Sequence, residues 1–273
     1  MKVNLGGIVP LSTVDWLGRA SMVVFLRGCP LRCPHCHNRE LQAGKSLVEF
    51  HQVASRIVSQ IKGEMRAGKT SDSLPEQIDL DEASERARSK PFVDALVLSG
   101  GEPLLQSEPS ARLFRLARSL DLATGLETSG CYPDRMEELL KRNLVDKVFL
   151  DLKAALHEPD YERATAMKGM AALVLESLRI CMASGVPLDV RTTIFPEMPS
   201  PSEVFEIAET LSLLKAQFPG HRLECLVLQQ GRPREGDSRF EPVSLEILRK
   251  MAKSVEALVK VQIRAETNPI WKK

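Results

Sequence analysis

Short apolar runs alternate along the chain with segments whose apolar residues recur every three or four positions. The runs are residues 21–26, 94–98, 123–128, 147–152, 188–194 and 223–228, and 259–263 is a shorter one suited to a sheet edge. They lack strict polar alternation, which is the pattern of strands buried on both faces. Between them, Leu113, Leu116, Ala117 and Leu120 fall on one helical stripe. Val204, Ile207, Ala208 and Leu211 repeat the pattern behind Ser200-Pro201-Ser202-Glu203, which predicts a capping box with proline in the first turn. Leu245, Leu248, Met251, Ala252 and Val255 form a last stripe behind Ser244. Alternating strand and helix predict an α/β chain with a parallel sheet, either open and doubly wound or a partial barrel. Both forms place active residues at the C-terminal ends of strands.

Composition narrows the function classes. A hydrophobic content of 43% supplies a core and excludes a disordered chain. The 37 Lys and Arg nearly cancel the 36 Asp and Glu, leaving a net charge of +1. That gives no electrostatic footprint for nucleic acid or an anionic membrane. The apolar runs fall far short of the ~18 residues of a membrane span. The opening Met1-Lys2-Val3-Asn4-Leu5-Gly6-Gly7 is too broken for a signal peptide, so a cytoplasmic location is expected. One stretch, residues 62–90, is rich in charge and poor in large apolar residues, and reads as a charged surface insertion.

The six cysteines are too sparse for a disulfide scaffold, and they are unevenly placed. Cys131, Cys181 and Cys225 stand alone and read as buried small apolar residues. Cys29, Cys33 and Cys36 share one loop, Gly28-Cys29-Pro30-Leu31-Arg32-Cys33-Pro34-His35-Cys36-His37-Asn38, directly after the first run. Three thiolates this close can ligate one centre. Zinc would need a fourth ligand, for which His35 or His37 is available. An iron–sulfur cluster would need none, and one iron would stay open. Zinc sites of the structural kind usually draw on two separated segments, and no second C-x2-C exists in the chain, which favours the cluster.

The spacing C-x3-C-x2-C after one strand, with Gly100-Gly101-Glu102-Pro103 after the next, resembles the radical S-adenosylmethionine superfamily. Cys36-His37-Asn38, Leu126-Glu127-Thr128-Ser129-Gly130, Asp151-Leu152-Lys153 and Arg191-Thr192-Thr193 are similar to runs found in the same order in glycyl-radical activating enzymes. The opening Gly7-Ile8-Val9-Pro10-Leu11-Ser12-Thr13-Val14-Asp15-Trp16 resembles the activating proteins of anaerobic ribonucleoside-triphosphate reductase. The resemblance implies a partial (β/α)6 TIM-like barrel with parallel strands and outer helices. It implies a single core domain over 1–273, with residues 1–20 an N-terminal extension.

It also implies a chemistry. Cys29, Cys33 and Cys36 would hold a [4Fe-4S] cluster whose open iron takes the methionine amino and carboxylate groups of S-adenosylmethionine. Reductive cleavage would give methionine and a 5′-deoxyadenosyl radical, which takes a hydrogen from a glycine of the partner. Gly100 and Gly101 would let backbone approach the cofactor, and Glu102 would meet its ammonium. Glu127, Thr128 and Asp151 would help bind the cofactor and a monovalent cation. Lys153 and Arg191 would face the cofactor carboxylate and the substrate loop. His35 and His37 would lie against the adenine or the cluster.

The implied partners are a glycyl-radical enzyme, anaerobic ribonucleotide reductase first among them, and a small electron donor such as flavodoxin or ferredoxin. A small-molecule enzyme like the 7-carboxy-7-deazaguanine synthases is the alternative. Leu17, where the subfamily usually has proline, and Glu127, in place of a common Asp, depart from the pattern.

Overall fold

The computed structural model describes residues 1–61, 91–196, 198–232 and 240–265. The predicted charged insertion, 62–90, lies outside the described residues. The chain forms two compact units, one of Met1–Cys29, Asn38–Glu127 and Glu138–Asp146, the other of Pro30–His37, Thr128–Glu137 and Lys147–Lys273.

The first unit holds five neighbouring strands in the order β3-β1-β2-β4-β5. They are β1 (Lys2–Ser12), β2 (Ser21–Leu26), β3 (Leu47–Glu49), β4 (Ala95–Gly100) and β5 (Ala123–Thr128). Strands β2 and β4 run parallel from Ser21 opposite Ala95 to Leu26 opposite Gly100, and β4 runs parallel to β5. Met22, Val23, Val24, Leu96, Val97 and Leu98 are wholly buried, which is why these runs show no alternation in sequence. The short α1 (Arg39–Gln42) leads into β3, followed by α2 (Phe50–Ile61), which buries the stripe Val53, Ala54, Ile57 and Ile61. The predicted stripe of Leu113, Leu116 and Ala117 is buried on α3 (Ser107–Ser119). The Asp146 carboxylate ties the start of β5, accepting from the Thr124 amide at 2.8 Å and hydroxyl at 2.9 Å.

Residues 1–20, an extension in the sequence reading, contain β1, which pairs antiparallel with β2 and, over Lys2–Asn4, with β3. Two irregularities interrupt its pairing with β2, one between Leu5 and Gly7 and one between Val9 and Ser12. Leu5 faces Leu26 and Gly7 faces Phe25, so Gly6 is the extra residue. Before the bulge Val3 and Leu5 are buried, whereas beyond it Ser12 is buried and Val9 and Leu11 are exposed.

The second unit holds β6 (Lys147–Asp151), β7 (Pro187–Ile194), β8 (Arg222–Gln230) and β9 (Val261–Arg264), adjacent in that order and all parallel. Its helices are α5 (Asp160–Thr165), α6 (Met170–Ser184), α7 (Pro201–Gln217) and α8 (Leu245–Val255); α4 (Pro133–Lys141) precedes them in the chain. The capping box on α7 forms as the sequence predicts. The Ser200 hydroxyl accepts from the Glu203 amide, and the Glu203 carboxylate accepts from the Ser200 amide at 2.9 Å. That carboxylate also meets Arg163 at 2.9 Å. Lys147 and Asp189 form a nearly buried ion pair at 2.9 Å where β6 and β7 begin. No described helix is long and apolar enough to cross a membrane.

Candidate functional site

The cysteine loop leaves the C-terminal end of β2, where the parallel-sheet rule puts active residues. Backbone contacts fix its first residues. The Gly28 amide donates to the Leu41 carbonyl at 2.7 Å and the Cys29 amide to the Gln42 carbonyl at 3.1 Å. The Gly-Gly-Glu-Pro turn leaves the end of β4 and locks onto the same segment. Gly101 donates to the Leu26 carbonyl and Glu102 to the Gly28 carbonyl, each at 2.8 Å.

The glycines are required by this contact of chain with chain. Gly100 has a φ of +122°, and a Cβ there would lie 2.3 Å from the Leu26 carbonyl oxygen. A Cβ at Gly101 would lie 2.3 Å from the Gly28 carbonyl oxygen. The sequence reading gave this close approach to a ligand; the described contacts give it to the loop that carries Cys29.

Glu102 is fully buried. One carboxylate oxygen accepts from the Leu104 amide at 3.0 Å, capping the 3-10 turn Pro103–Gln106. A buried carboxylate at a strand end, rather than an exposed turn residue, is what a ligand-binding anion requires. The Asn38 side chain donates to the Gly100 carbonyl at 3.4 Å.

The second unit gathers most of the remaining candidates. Cys33 is buried, and the Cys36 amide donates to the Cys33 carbonyl at 3.1 Å. Lys153 Nζ lies 3.0 Å from the Asp151 carboxylate, just past β6. Burial alone would depress the Lys153 ammonium, but Asp151 and then Cys33 hold its pKa well above the ordinary lysine range. Burial raises the Cys33 thiol, with Lys153 acting in the opposite direction. Lys153 is therefore a permanent cation beside the thiol that a metal would ionise. Arg191 sits opposite Asp151 in the β6–β7 register, and its guanidinium covers the Phe149 ring at 3.9 Å.

Both imidazoles pack on an aromatic residue that the sequence reading missed. The Phe195 ring lies 5.6 Å from His35 and 6.3 Å from His37, with Phe240 edge-on to it at 5.3 Å. Its signal was its place immediately after β7. Burial, with Lys153 and His37 adding to it, pushes His35 down to about 3, and its Nδ1 is buried with no hydrogen-bond partner among the described residues. His37 is also lowered, by burial and then by Arg232. Both are neutral rings at ordinary pH. Thr128 is buried and accepts from the Gly130 amide at 3.1 Å. Glu127, the preceding residue, is half-buried at the end of β5.

The donor set fits a thiolate-ligated centre. Cys29, Cys33 and Cys36 form no disulfide. Among the described residues no three His, Cys, Asp or Glu side chains form a group that could hold a single metal ion. Soft thiolate donors suit an iron–sulfur cluster, which takes one cysteine per iron.

Comparison with known proteins agrees. The family model described as the radical SAM superfamily matches residues 23–211. A protein of Methanocaldococcus jannaschii, named as a candidate glycyl-radical enzyme activating enzyme, is 29% identical over 77% of this chain and 76% of its own length. The pyruvate formate-lyase 2-activating enzyme of Escherichia coli is 30% identical over 64% of this chain and 61% of its own. A radical SAM methyltransferase from Sphaerobacter thermophilus has a similar structure, with a TM-score of 0.64 at 16% identity, covering 93% of this chain and 68% of that one. That likeness carries the fold, the α/β partial barrel with parallel strands and outer helices. With the family model covering well over half of its residues, the chain belongs to the radical SAM superfamily.

Proposed function

We propose that this protein is a glycyl-radical enzyme activating enzyme with anaerobic ribonucleotide reductase as its partner. The observation that carries the reading is the loop of Cys29, Cys33 and Cys36 leaving β2, with the Glu102 turn of β4 hydrogen-bonded to its first residues. The activating enzymes among its relatives support the partner class. The resemblance of residues 7–16 supports the reductase in particular.

Cys29, Cys33 and Cys36 would hold the [4Fe-4S] cluster. When bound and reduced, cluster and S-adenosylmethionine supply the radical that abstracts the glycine hydrogen. Glu102, buried just past β4, would meet the cofactor ammonium. Lys153, fixed by Asp151, would meet the cofactor carboxylate. The neutral rings of His35 and His37, packed against Phe195, would offer flat apolar faces to the adenine and exclude water. Glu127, Thr128 and Asp151 would line the cofactor and a monovalent cation. Arg191 would face the partner's glycine loop. A flavodoxin or ferredoxin would deliver the electron, in the cytoplasm.

The test is anaerobic reconstitution with iron and sulfide, dithionite reduction, and assay for 5′-deoxyadenosine and for a glycyl-radical signal on purified anaerobic reductase. Both products are expected from the native chain, and neither from Cys33→Ala. Arg191→Lys should keep the deoxyadenosine and lose most of the radical signal. A native chain that cleaves the cofactor but radicalises pyruvate formate-lyase alone would move the partner assignment. Turnover of a purine-like substrate instead would replace the reading.

A further inference from the structure

Strand β6 has two unlike faces. Val148 and Leu150 are wholly buried aliphatic residues on one, and Lys147, Phe149 and Asp151 alternate with them on the other. Pairing with β7 stacks this second face in layers, with Phe149 opposite Asp189 and Asp151 opposite Arg191. Lys147 meets Asp189 at 2.9 Å where the strands begin. Lys153 meets Asp151 at 3.0 Å where β6 ends. Phe149, the only uncharged residue on its face of β6, lies between these two pairs.

In that middle layer the Arg191 guanidinium carbon lies 3.9 Å over the centre of the Phe149 ring. Both side chains are out of water, Phe149 at 1% exposure and Arg191 at 5%, where the pull of a ring face on a cation is strongest. Lys147 also faces the ring, but from 5.3 Å, and Asp189 and Glu224 engage its ammonium. The ring therefore acts mainly on Arg191. A strand fixes where a long arginine stem starts, not where its planar head comes to rest. A guanidinium resting on an aromatic face has its plane fixed, and its N–H donors point outward from its rim. Leucine or isoleucine would fill the layer without that orienting attraction.

We infer that Phe149 is a positioning residue for Arg191, its ring holding the guanidinium so that the N–H rim is presented to the backbone carbonyls of the partner's glycine loop. This rests on the reading of Arg191 as the residue that faces that loop.

The experiment uses the full chain reconstituted with iron and sulfide, with 4-fluoro-, 3,5-difluoro- and 3,4,5-trifluorophenylalanine placed in turn at position 149 by nonsense suppression. Each fluorine draws charge from the ring face with little change of shape, so space-filling stays constant along the series while attraction for a cation falls. The first readout is the affinity of the unreduced chain, loaded with S-adenosylmethionine, for a peptide spanning the radical glycine of anaerobic ribonucleotide reductase. It is expected to weaken stepwise, by about tenfold at the third fluorine. The rate of glycyl-radical formation on the whole reductase should fall in parallel, while deoxyadenosine formed without partner keeps the native rate. Phe149→Leu, which keeps apolar bulk without a ring, should bind the peptide no better than the trifluoro chain. Equal affinities along the series would overturn the inference and leave the Arg191 reading intact. So would a falling melting temperature at unchanged affinity, which would confine the ring's role to stability. A native chain that fails to bind the peptide, or an affinity that survives Arg191→Lys, would remove the underlying reading.

Discussion

At Gly101 a side chain would strike backbone, since its Cβ would lie 2.3 Å from a carbonyl oxygen that cannot swing aside. Gly101→Ala should therefore cost about 3 kcal/mol or more, lowering the melting temperature by roughly 6–12 °C; a calorimetric scan checks this. Cys181 gives a pH dependence. It is wholly buried, and burial pushes its thiol up to about 12. Below the thiol's ordinary pKa of 9.0 both folded and unfolded chains keep the proton, and the stability is fully present. Above it the unfolded chain ionises first, so stability should fall by up to about 1.4 kcal/mol per pH unit. Urea titrations between neutral and alkaline pH should show a shallower loss in Cys181→Ala. The candidate site was legible wherever chemistry sits in a contiguous motif, as in the cysteine loop, Glu102 and the Asp151–Lys153 pair. Phe195 was not read, although it follows β7 directly, because its contacts with His35 and His37 join residues distant in sequence.

At the level of elements, the box at the start of α7 does more than close a helix. Glu203 both caps and holds Arg163, which connects α7 to α5. Ser200→Ala should cost about 1 kcal/mol. Glu203→Ala should cost more than that, because it also strips the partner of Arg163; urea midpoints at constant slope would measure both. The parallel strands were readable because burial on both faces makes them apolar runs. The structure extends 94–98 to Ala95–Gly100 and moves 259–263 to Val261–Arg264, since backbone pairing can continue past the apolar stretch. Strand β1 escaped the reading because its alternation changes phase at Gly6 and two glycines dilute it. Helix α6 escaped for the opposite reason, being apolar over much of its circumference with no sharp stripe.

Across the whole molecule, a cluster would close a loop whose three cysteines form no disulfide. Binding that occurs only in the folded state raises stability by mass action. The iron-loaded chain should melt several degrees above the same chain without iron, and Cys33→Ala should abolish that difference; paired thermal scans before and after chelation test it. The near-zero net charge suits recognition of a partner by shape and a few local charges. Beta-strand 1 adds a constraint on how this surface can evolve. The extra residue at Gly6 decides which side of the strand Gly7, Ile8 and Val9 occupy, until a second irregularity before Ser12 shifts the register again. Deleting Gly6 would turn the exposed Val9 inward and carry Ile8 out. The two irregularities thus enclose a short reading frame of their own, three paired residues long, that a one-residue change at Gly6 would re-aim together.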